Sequence, residues 1–232
     1  MDDFVAALVW YVAFVLSTTL HEASHALVAK LGGDPTAYEG GQVSIDPVPH
    51  IRREPVGMVV LPVIALALFG WPFGFASAPY NPVWAERHPQ RAAWMSLAGP
   101  GANLLLVAAC AAVIWIGVAL DVFHAPGTEH LTQVFAAESG GVWDSAAFIL
   151  SIFFTLNLIL FLFNLLPLPP LDGSGALGLL LREDVFRRVR RLSSQPMFGF
   201  IGLLIAWRVF GPIFGPIFTL ALNVLYPGAG YH

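Results

Sequence analysis

Residues 5–25 read VAALVWYVAFVLSTTLHEASH, and this stretch decides the class of the protein. No charge occurs between Val5 and Leu20, as in a helix that enters a membrane. His21 and His25 then stand four residues apart, so on a helix they share one face and can bind one metal ion. Glu22 points toward the place that a metal-bound water would take. Because ionisable residues are costly in a spanning segment and usually functional, the sequence predicts a metal site within the bilayer.

The composition of the whole chain is that of a membrane protein. Of its 232 residues, 57% are hydrophobic and 11% are charged, whereas soluble domains carry about 25% charged residues. The single cysteine, Cys110, excludes an internal disulfide and a cysteine zinc site. The net charge of −4 gives no indication of nucleic-acid binding.

Five apolar stretches approach the ~20 residues needed to span a bilayer. They are Phe4–Lys30, Gly57–Phe75, Trp94–Leu120, Trp143–Leu166 and Met197–Leu225. The arginine-rich segment Leu181–Leu192 is predicted to be cytoplasmic. The loop Asp121–Trp143 carries Asp121, Glu129 and Glu138 without Lys or Arg, so it is predicted to face outward.

The second stretch, Gly57–Phe75, has basic residues on both sides, which are Lys30, Arg52, Arg53, Arg87 and Arg91. It also contains helix-interrupting proline and glycine residues. We therefore expect a re-entrant or membrane-surface segment; an ordinary spanning helix is the alternative. For Met197–Leu225, with Pro212 and Pro216, one kinked helix and two half-helices are both compatible.

Between the first two stretches, Gly40–Ile51 (GGQVSIDPVPHI) alternates and is flanked by turn residues, which predicts a small strand or hairpin on the cytoplasmic side. The predicted fold is thus an all-α polytopic membrane protein. It has about four spanning helices, a re-entrant or additional membrane segment and a small cytoplasmic β-hairpin. Residues 1–232 are predicted to form a single integral-membrane domain.

Asp172 is the best candidate for a third metal ligand. A catalytic zinc takes three protein ligands and keeps one open position. Asp172 follows the prolines of NLLPLPPLDG (residues 164–173) at the cytoplasmic end of the fourth stretch. The first stretch also runs toward that side, so His21, His25 and Asp172 are expected at a similar depth. An Asp-Gly turn without a ligand role is the alternative.

Taken together, these motifs resemble the site-2 protease family of intramembrane zinc metalloproteases, and in particular its small bacterial members without PDZ or CBS modules. That family carries HExxH on one core helix and NxxPxPxLDG on another, as HEASH and NLLPLPPLDG do here. The segment 97–103, LAGPGAN, is similar to the family's AGPxAN element, and DPVPH at 46–50 is similar to its NPxPH stretch. The resemblance covers most of residues 15–180.

The resemblance implies one Zn²⁺ per chain, bound by His21, His25 and Asp172, with Glu22 as the catalytic general base. It also implies that Asn164 and Pro167 help to hold an unwound substrate strand. Gly99, Pro100 and Asn103 would allow close helix packing, and Asn103 could bond across the core.

The implied function is an intramembrane endopeptidase that cuts in or near transmembrane segments of membrane proteins through a zinc-activated water. The implied location is a bacterial cell membrane, with the active site toward the cytoplasm. The alternative is a non-proteolytic metal-binding membrane scaffold or transport component. Because such a protein would not need Glu22, and paired repeats of broken helices are absent from the sequence, the enzyme is favoured.

Overall fold

Helices form most of the molecule in a computed structural model, which describes residues 3–127, 130–137, 141–193 and 195–231. The described residues also form two short strands, one π-helix and one 3₁₀-helix. In chain order the elements are α1 (Asp3–Leu31), α2 (Thr36–Glu39), α3 (Pro47–Arg53), a π-helix (Val56–Val60), α4 (Leu61–Phe69), α5 (Pro82–Arg87), α6 (Pro89–Ala119), β1 (Phe123–His124), β2 (Ala136–Ala137), α7 (Val142–Asn164), α8 (Asp172–Ala176), a 3₁₀-helix (Leu177–Leu179), α9 (Glu183–Ser193) and α10 (Pro196–Leu225).

Four helices in the described part of the chain, α1, α6, α7 and α10, are long and apolar enough to cross a membrane. This confirms the predicted all-α polytopic class and the four spanning helices. The fifth apolar stretch is one helix, α10, which continues through Pro212 and Pro216. Exposed apolar residues cover much of α10, as expected for a helix that faces lipid.

The core is built by α1, α6 and α7, because α6 packs against both other helices and α1 also contacts α7. The end of α1 and the start of α6 lie together. The Gly32 carbonyl there accepts hydrogen bonds from Trp84 Nε1 at 3.0 Å and from Arg91 Nη1 at 3.1 Å. At the same end, Asp34 accepts a bond from the Asn81 N–H. The predicted cytoplasmic side therefore corresponds to one end of the molecule.

The second apolar stretch, Gly57–Phe75, folds back so that its two ends lie next to each other. Val56–Phe69 would measure about 21 Å as a continuous helix, less than the ~30 Å of a bilayer core. The extended chain after α4 then returns, and the Phe75 N–H donates to the Gly57 carbonyl at 3.1 Å. Next to it, Ser77 Oγ donates to Glu54 Oε1 at 2.6 Å. This path supports the expected re-entrant segment over the alternative of an ordinary spanning helix.

The prediction of a hairpin at Gly40–Ile51 is wrong. Turns and the start of α3 occupy this stretch. Asp46 caps α3 by accepting a bond from the Val48 N–H at 2.9 Å, and Pro47 occupies the first helical turn, where proline is favoured. The capping signal therefore outweighs the alternating pattern.

In the described part of the chain a small hairpin lies between α6 and α7, where β1 pairs antiparallel with β2. This is the end opposite to Gly32 and Arg91, hence on the predicted outer side. The aromatic rings of Phe123 and Phe135 pack edge-on there, with centroids 4.7 Å apart. Glu129 and Glu138, two of the acidic residues that predict an outward-facing loop, lie outside the described residues.

Candidate metal centre

His21 and His25 lie on one face of α1, as their spacing predicts. Their Nε2 atoms are 3.0 Å apart, and both side chains are buried. Two imidazole nitrogens this close within an apolar helix bundle have no favourable packing reason. They present two ligand atoms to a single point.

Asp172 reaches the same point from the chain after α7. Its Oδ2 is 3.0 Å from His21 Nε2 and 3.3 Å from His25 Nε2. Gly173 makes this possible, because a Cβ there would lie only 2.2 Å from the Leu165 carbonyl oxygen. A side chain at 173 would push Asp172 away from the end of α7. The Asp-Gly pair thus seats the carboxylate against the helix end.

The three atoms form a triangle of the size that a tetrahedral zinc ion requires. Bonds of about 2.0–2.1 Å to a tetrahedral ion place its ligand atoms about 3.3 Å apart. The triangle here has edges of 3.0 and 3.3 Å. Two imidazoles and one carboxylate are also a donor set typical of catalytic zinc.

Gly99 of α6 keeps the space beside this triangle open. A Cβ on Gly99 would lie 2.3 Å from His25 Nε2 and 2.4 Å from His21 Nε2. These distances are close to a zinc–nitrogen bond of ~2.0–2.1 Å. A methyl group at Gly99 would therefore overlap the space that an ion bound by both histidines needs, so the residues present can hold a metal ion.

Hydrogen bonds on the far side of each imidazole set its tautomer. His25 Nδ1 is 2.7 Å from the Met95 carbonyl oxygen, which can only accept, so Nδ1 carries the proton and Nε2 keeps its lone pair. His21 Nδ1 is 2.6 Å from Oδ1 of the buried Asn103. Both histidines thus direct an unprotonated Nε2 toward Gly99.

Glu22 is buried beside the two histidines. One of its carboxylate oxygens lies within 4.8 Å of a ring nitrogen of each histidine, and the residue is 5% exposed. It follows His21 by one residue, so its side chain is turned about 100° around α1 from that of His21. A carboxylate held at this distance can accept a proton from a group at the metal without itself being a ligand.

The two residues expected to contact substrate lie at the end of α7 and just beyond it. Asn164 is partly buried, and its Nδ2 donates to the Leu160 carbonyl at 3.0 Å. Pro167 is exposed in the loop before α8. Their role in substrate binding stays a prediction.

Two features of the site were not apparent from the sequence. One is the space that Gly99 leaves for an ion, because the sequence indicated only close helix packing there. The other is Asn157, which accepts a hydrogen bond from Asn103 Nδ2. The signal that the sequence offers for Asn157 is a polar residue within an apolar stretch.

Comparison with known proteins places this chain in a family. A sequence profile of peptidase family M50 matches residues 9–209, and the chain belongs to this family of membrane metalloproteases, the site-2 protease family. Among its relatives, "Putative zinc metalloprotease YwhC" of Bacillus subtilis is 36% identical over 195 residues, which cover 84% of this chain and 77% of the relative.

Two mycobacterial relatives agree. "Putative zinc metalloprotease Rip2" of Mycolicibacterium smegmatis is 31% identical over 192 residues, or 81% of this chain and 62% of the relative. The protein of the same name from Mycobacterium tuberculosis is 29% identical over 210 residues, or 89% of this chain and 70% of the relative. No solved structure matches the chain. The family and these names identify a multi-pass membrane metalloprotease that uses zinc.

Proposed function

We propose that this protein is an intramembrane zinc endopeptidase, with one Zn²⁺ per chain held by His21, His25 and Asp172. The observation that carries the proposal is the triangle of Nε2, Nε2 and Oδ2 atoms with edges of 3.0–3.3 Å. The two histidines belong to a helix long enough to cross a membrane. We also propose that residues 1–232 act as a single metalloprotease domain.

The residues around the triangle divide the work of peptide hydrolysis. Zinc, when bound, acidifies water and polarises a peptide carbonyl. Glu22 takes the proton that the attacking water loses as its oxygen bonds to the carbonyl carbon. When the carbon–nitrogen bond breaks, Glu22 gives this proton to the departing amine. Met95 and Asn103 keep the imidazoles in the tautomers that leave Nε2 free.

The depth of the site supports transmembrane segments as substrates. His21 precedes the end of α1 at Leu31 by ten residues, hence by roughly 15 Å. The basic residues Lys30 and Arg91 lie at that same end, which we assign to the cytoplasm of a bacterial cell. A helical substrate hides its peptide bonds and must unwind first. We propose that Asn164 and Pro167, next to Asp172 along the chain, hold the unwound strand.

The Glu22→Gln variant tests this function. A panel of tagged single-span membrane proteins is expressed in cells with wild type or the variant, and cleavage and zinc content are measured. We expect wild type to cleave at least one substrate, Glu22→Gln to cleave roughly 10²–10⁴-fold more slowly, and both to hold equal zinc. A glutamine keeps the shape of Glu22 but cannot take up the proton.

Other outcomes are decisive as well. Absence of zinc from both purified proteins would contradict the proposed metal site. Equal activity of both proteins would remove Glu22 from the reaction. If both hold zinc and neither cleaves any substrate in the panel, the alternative of a metal-binding scaffold or transport component is favoured.

A further inference from the structure

We propose that Asn157 is a positioning residue of the metal centre: acting through Asn103, it fixes His21 in the tautomer that can bind the metal. This inference rests on the proposed role of His21 as a zinc ligand. It assigns a function to a residue of α7 that touches neither the ligand atoms nor Glu22.

A continuous chain of hydrogen bonds links the three helices of the core behind His21. His21 Nδ1 lies 2.6 Å from Asn103 Oδ1, and Asn103 Nδ2 donates to Asn157 Oδ1 at 2.8 Å. Asn157 Nδ2 donates to Ser17 Oγ at 2.9 Å and to the Phe153 carbonyl oxygen at 2.8 Å. The side chains of Ser17, Asn103 and Asn157 are completely buried.

One backbone carbonyl fixes the direction of every bond in this chain. The Phe153 oxygen can only accept, so Asn157 must turn its amide nitrogen toward it and its Oδ1 toward Asn103. Oδ1 in turn can only accept, so Asn103 must present its Nδ2 to Asn157 and its Oδ1 to His21. His21 Nδ1 must then carry the proton, which leaves Nε2 with the lone pair that a metal requires.

Replacement of Asn157 by an apolar residue would remove the constraint on the orientation of the Asn103 amide. An apolar side chain at 157 offers no acceptor to Asn103, so nothing opposes a 180° rotation of the Asn103 amide. After that rotation Nδ2 faces His21 Nδ1 and favours the tautomer with the proton on Nε2, which cannot bind a metal. Removal of groups that orient a metal ligand typically lowers affinity about 10–100-fold.

Thr155 supplies a matched control within the same helix. It is completely buried, two residues from Asn157, and its Oγ1 has no hydrogen-bond partner in the described part of the chain. Thr155→Val removes a buried polar group of α7 without touching the chain of bonds. If the loss of any buried polar group of α7 weakens zinc binding, both variants will show the loss. An effect that acts through His21 is expected for the Asn157 variant alone.

The test measures zinc affinity of the purified full chain by competition with a chelator, together with thermal unfolding of the metal-free protein. We expect Asn157→Leu to bind zinc about 10–100-fold more weakly than wild type, and Thr155→Val to bind like wild type. Ser17→Ala leaves the Phe153 carbonyl as an acceptor for Asn157 and should lower the affinity less. Equal affinities of Asn157→Leu and Thr155→Val would overturn the proposal.

A second background separates positioning from packing, and Ser17→Ala, which keeps Asn157, remains as a further variant if Asn157→Leu is unstable. In Asn103→Asp both side-chain oxygens can accept from His21 Nδ1, so rotation at 103 no longer changes the tautomer. Adding Asn157→Leu to Asn103→Asp should then leave zinc affinity unchanged. The same loss in both backgrounds would show that Asn157 acts only through packing. If wild type itself binds no zinc, the proposed function fails, and that result differs from each of these.

Discussion

Two glycines of α6 show how different the two ends of the helix bundle are. Gly99 and Gly117 are 18 residues apart, which is about five helical turns, so they lie on the same face of α6. A Cβ on Gly99 would meet the Nε2 atoms of His21 and His25, whereas a Cβ on Gly117 would lie 2.0 Å from the ring of Phe123. One glycine leaves room for an ion and the other leaves room for an aromatic side chain.

The side chains around the two glycines differ in the same way, being polar around Gly99 and apolar around Gly117. Around Gly99 the buried side chains are polar and held by directed hydrogen bonds, which His25 Nδ1–H donates to the Met95 backbone carbonyl and His21 Nδ1–H donates to Asn103 Oδ1. Around Gly117 the buried side chains are apolar and belong to a cluster that includes Phe123 and Phe135. The polar end should therefore control metal binding and the apolar end should control stability, and substitutions can test the two separately.

The largest effect is expected for Gly99→Ala. The added methyl group would occupy the place of the ion, so the variant should lose stoichiometric zinc binding and all cleavage while it still folds. Zinc content and chelator competition measure this directly. Gly101→Ala is the matched control, because a Cβ at 101 would have no atom within 4 Å. Normal zinc binding by Gly99→Ala would show that the metal lies elsewhere.

Gly117→Ala should have the opposite consequence. The methyl group would overlap the ring of Phe123, and overpacking of this kind costs roughly 1–3 kcal/mol of stability. Zinc affinity of the folded variant should equal that of wild type, since the metal centre is at the other end of the bundle. Unfolding in detergent and zinc titration of the same sample measure both quantities. A fall in zinc affinity without a fall in stability would contradict the division between the two ends.

The same division explains what the sequence could predict. His21, Glu22, His25 and Asp172 are ionisable residues in or next to apolar helices, so they stand out without any structure. The structure brings these four residues together. The spanning helices also follow from hydropathy alone, because a bilayer requires long apolar helices.

Features that depend on contacts between distant residues could not be predicted in the same way. The role of Asn157 depends on Asn103, 54 residues earlier in the chain, and no local pattern connects the two. The hairpin expected at Gly40–Ile51 failed for a local reason, because Asp46 and Pro47 start a helix. Which glycine of α6 faces an ion and which faces a ring is likewise decided by the helices packed against them.

The smallest effect is expected at the boundary of the polar end, where Asp34 joins the end of α1 to the start of α5. Burial by itself would raise the pKa of Asp34, but hydrogen bonds from the Thr36 hydroxyl and from the backbone N–H groups of Asn81 and Thr36 outweigh burial and lower it. The ionised carboxylate therefore stabilises the fold above its ordinary pKa of about 4. This contribution is lost as the pH falls through the lower pKa of the folded state.

Asp34→Asn should accordingly cost about 1 kcal/mol near pH 7, with little change in zinc affinity. Asparagine keeps one of the two acceptor oxygens but not the charge that strengthens the bonds from Asn81 and Thr36. Wild type and variant should converge in stability as the pH is lowered below about 4, because a protonated Asp34 also lacks that charge. Thermal unfolding from pH 7 to pH 3 measures the convergence. A constant difference at every pH would mean that the charge of Asp34 contributes nothing and that only its shape matters.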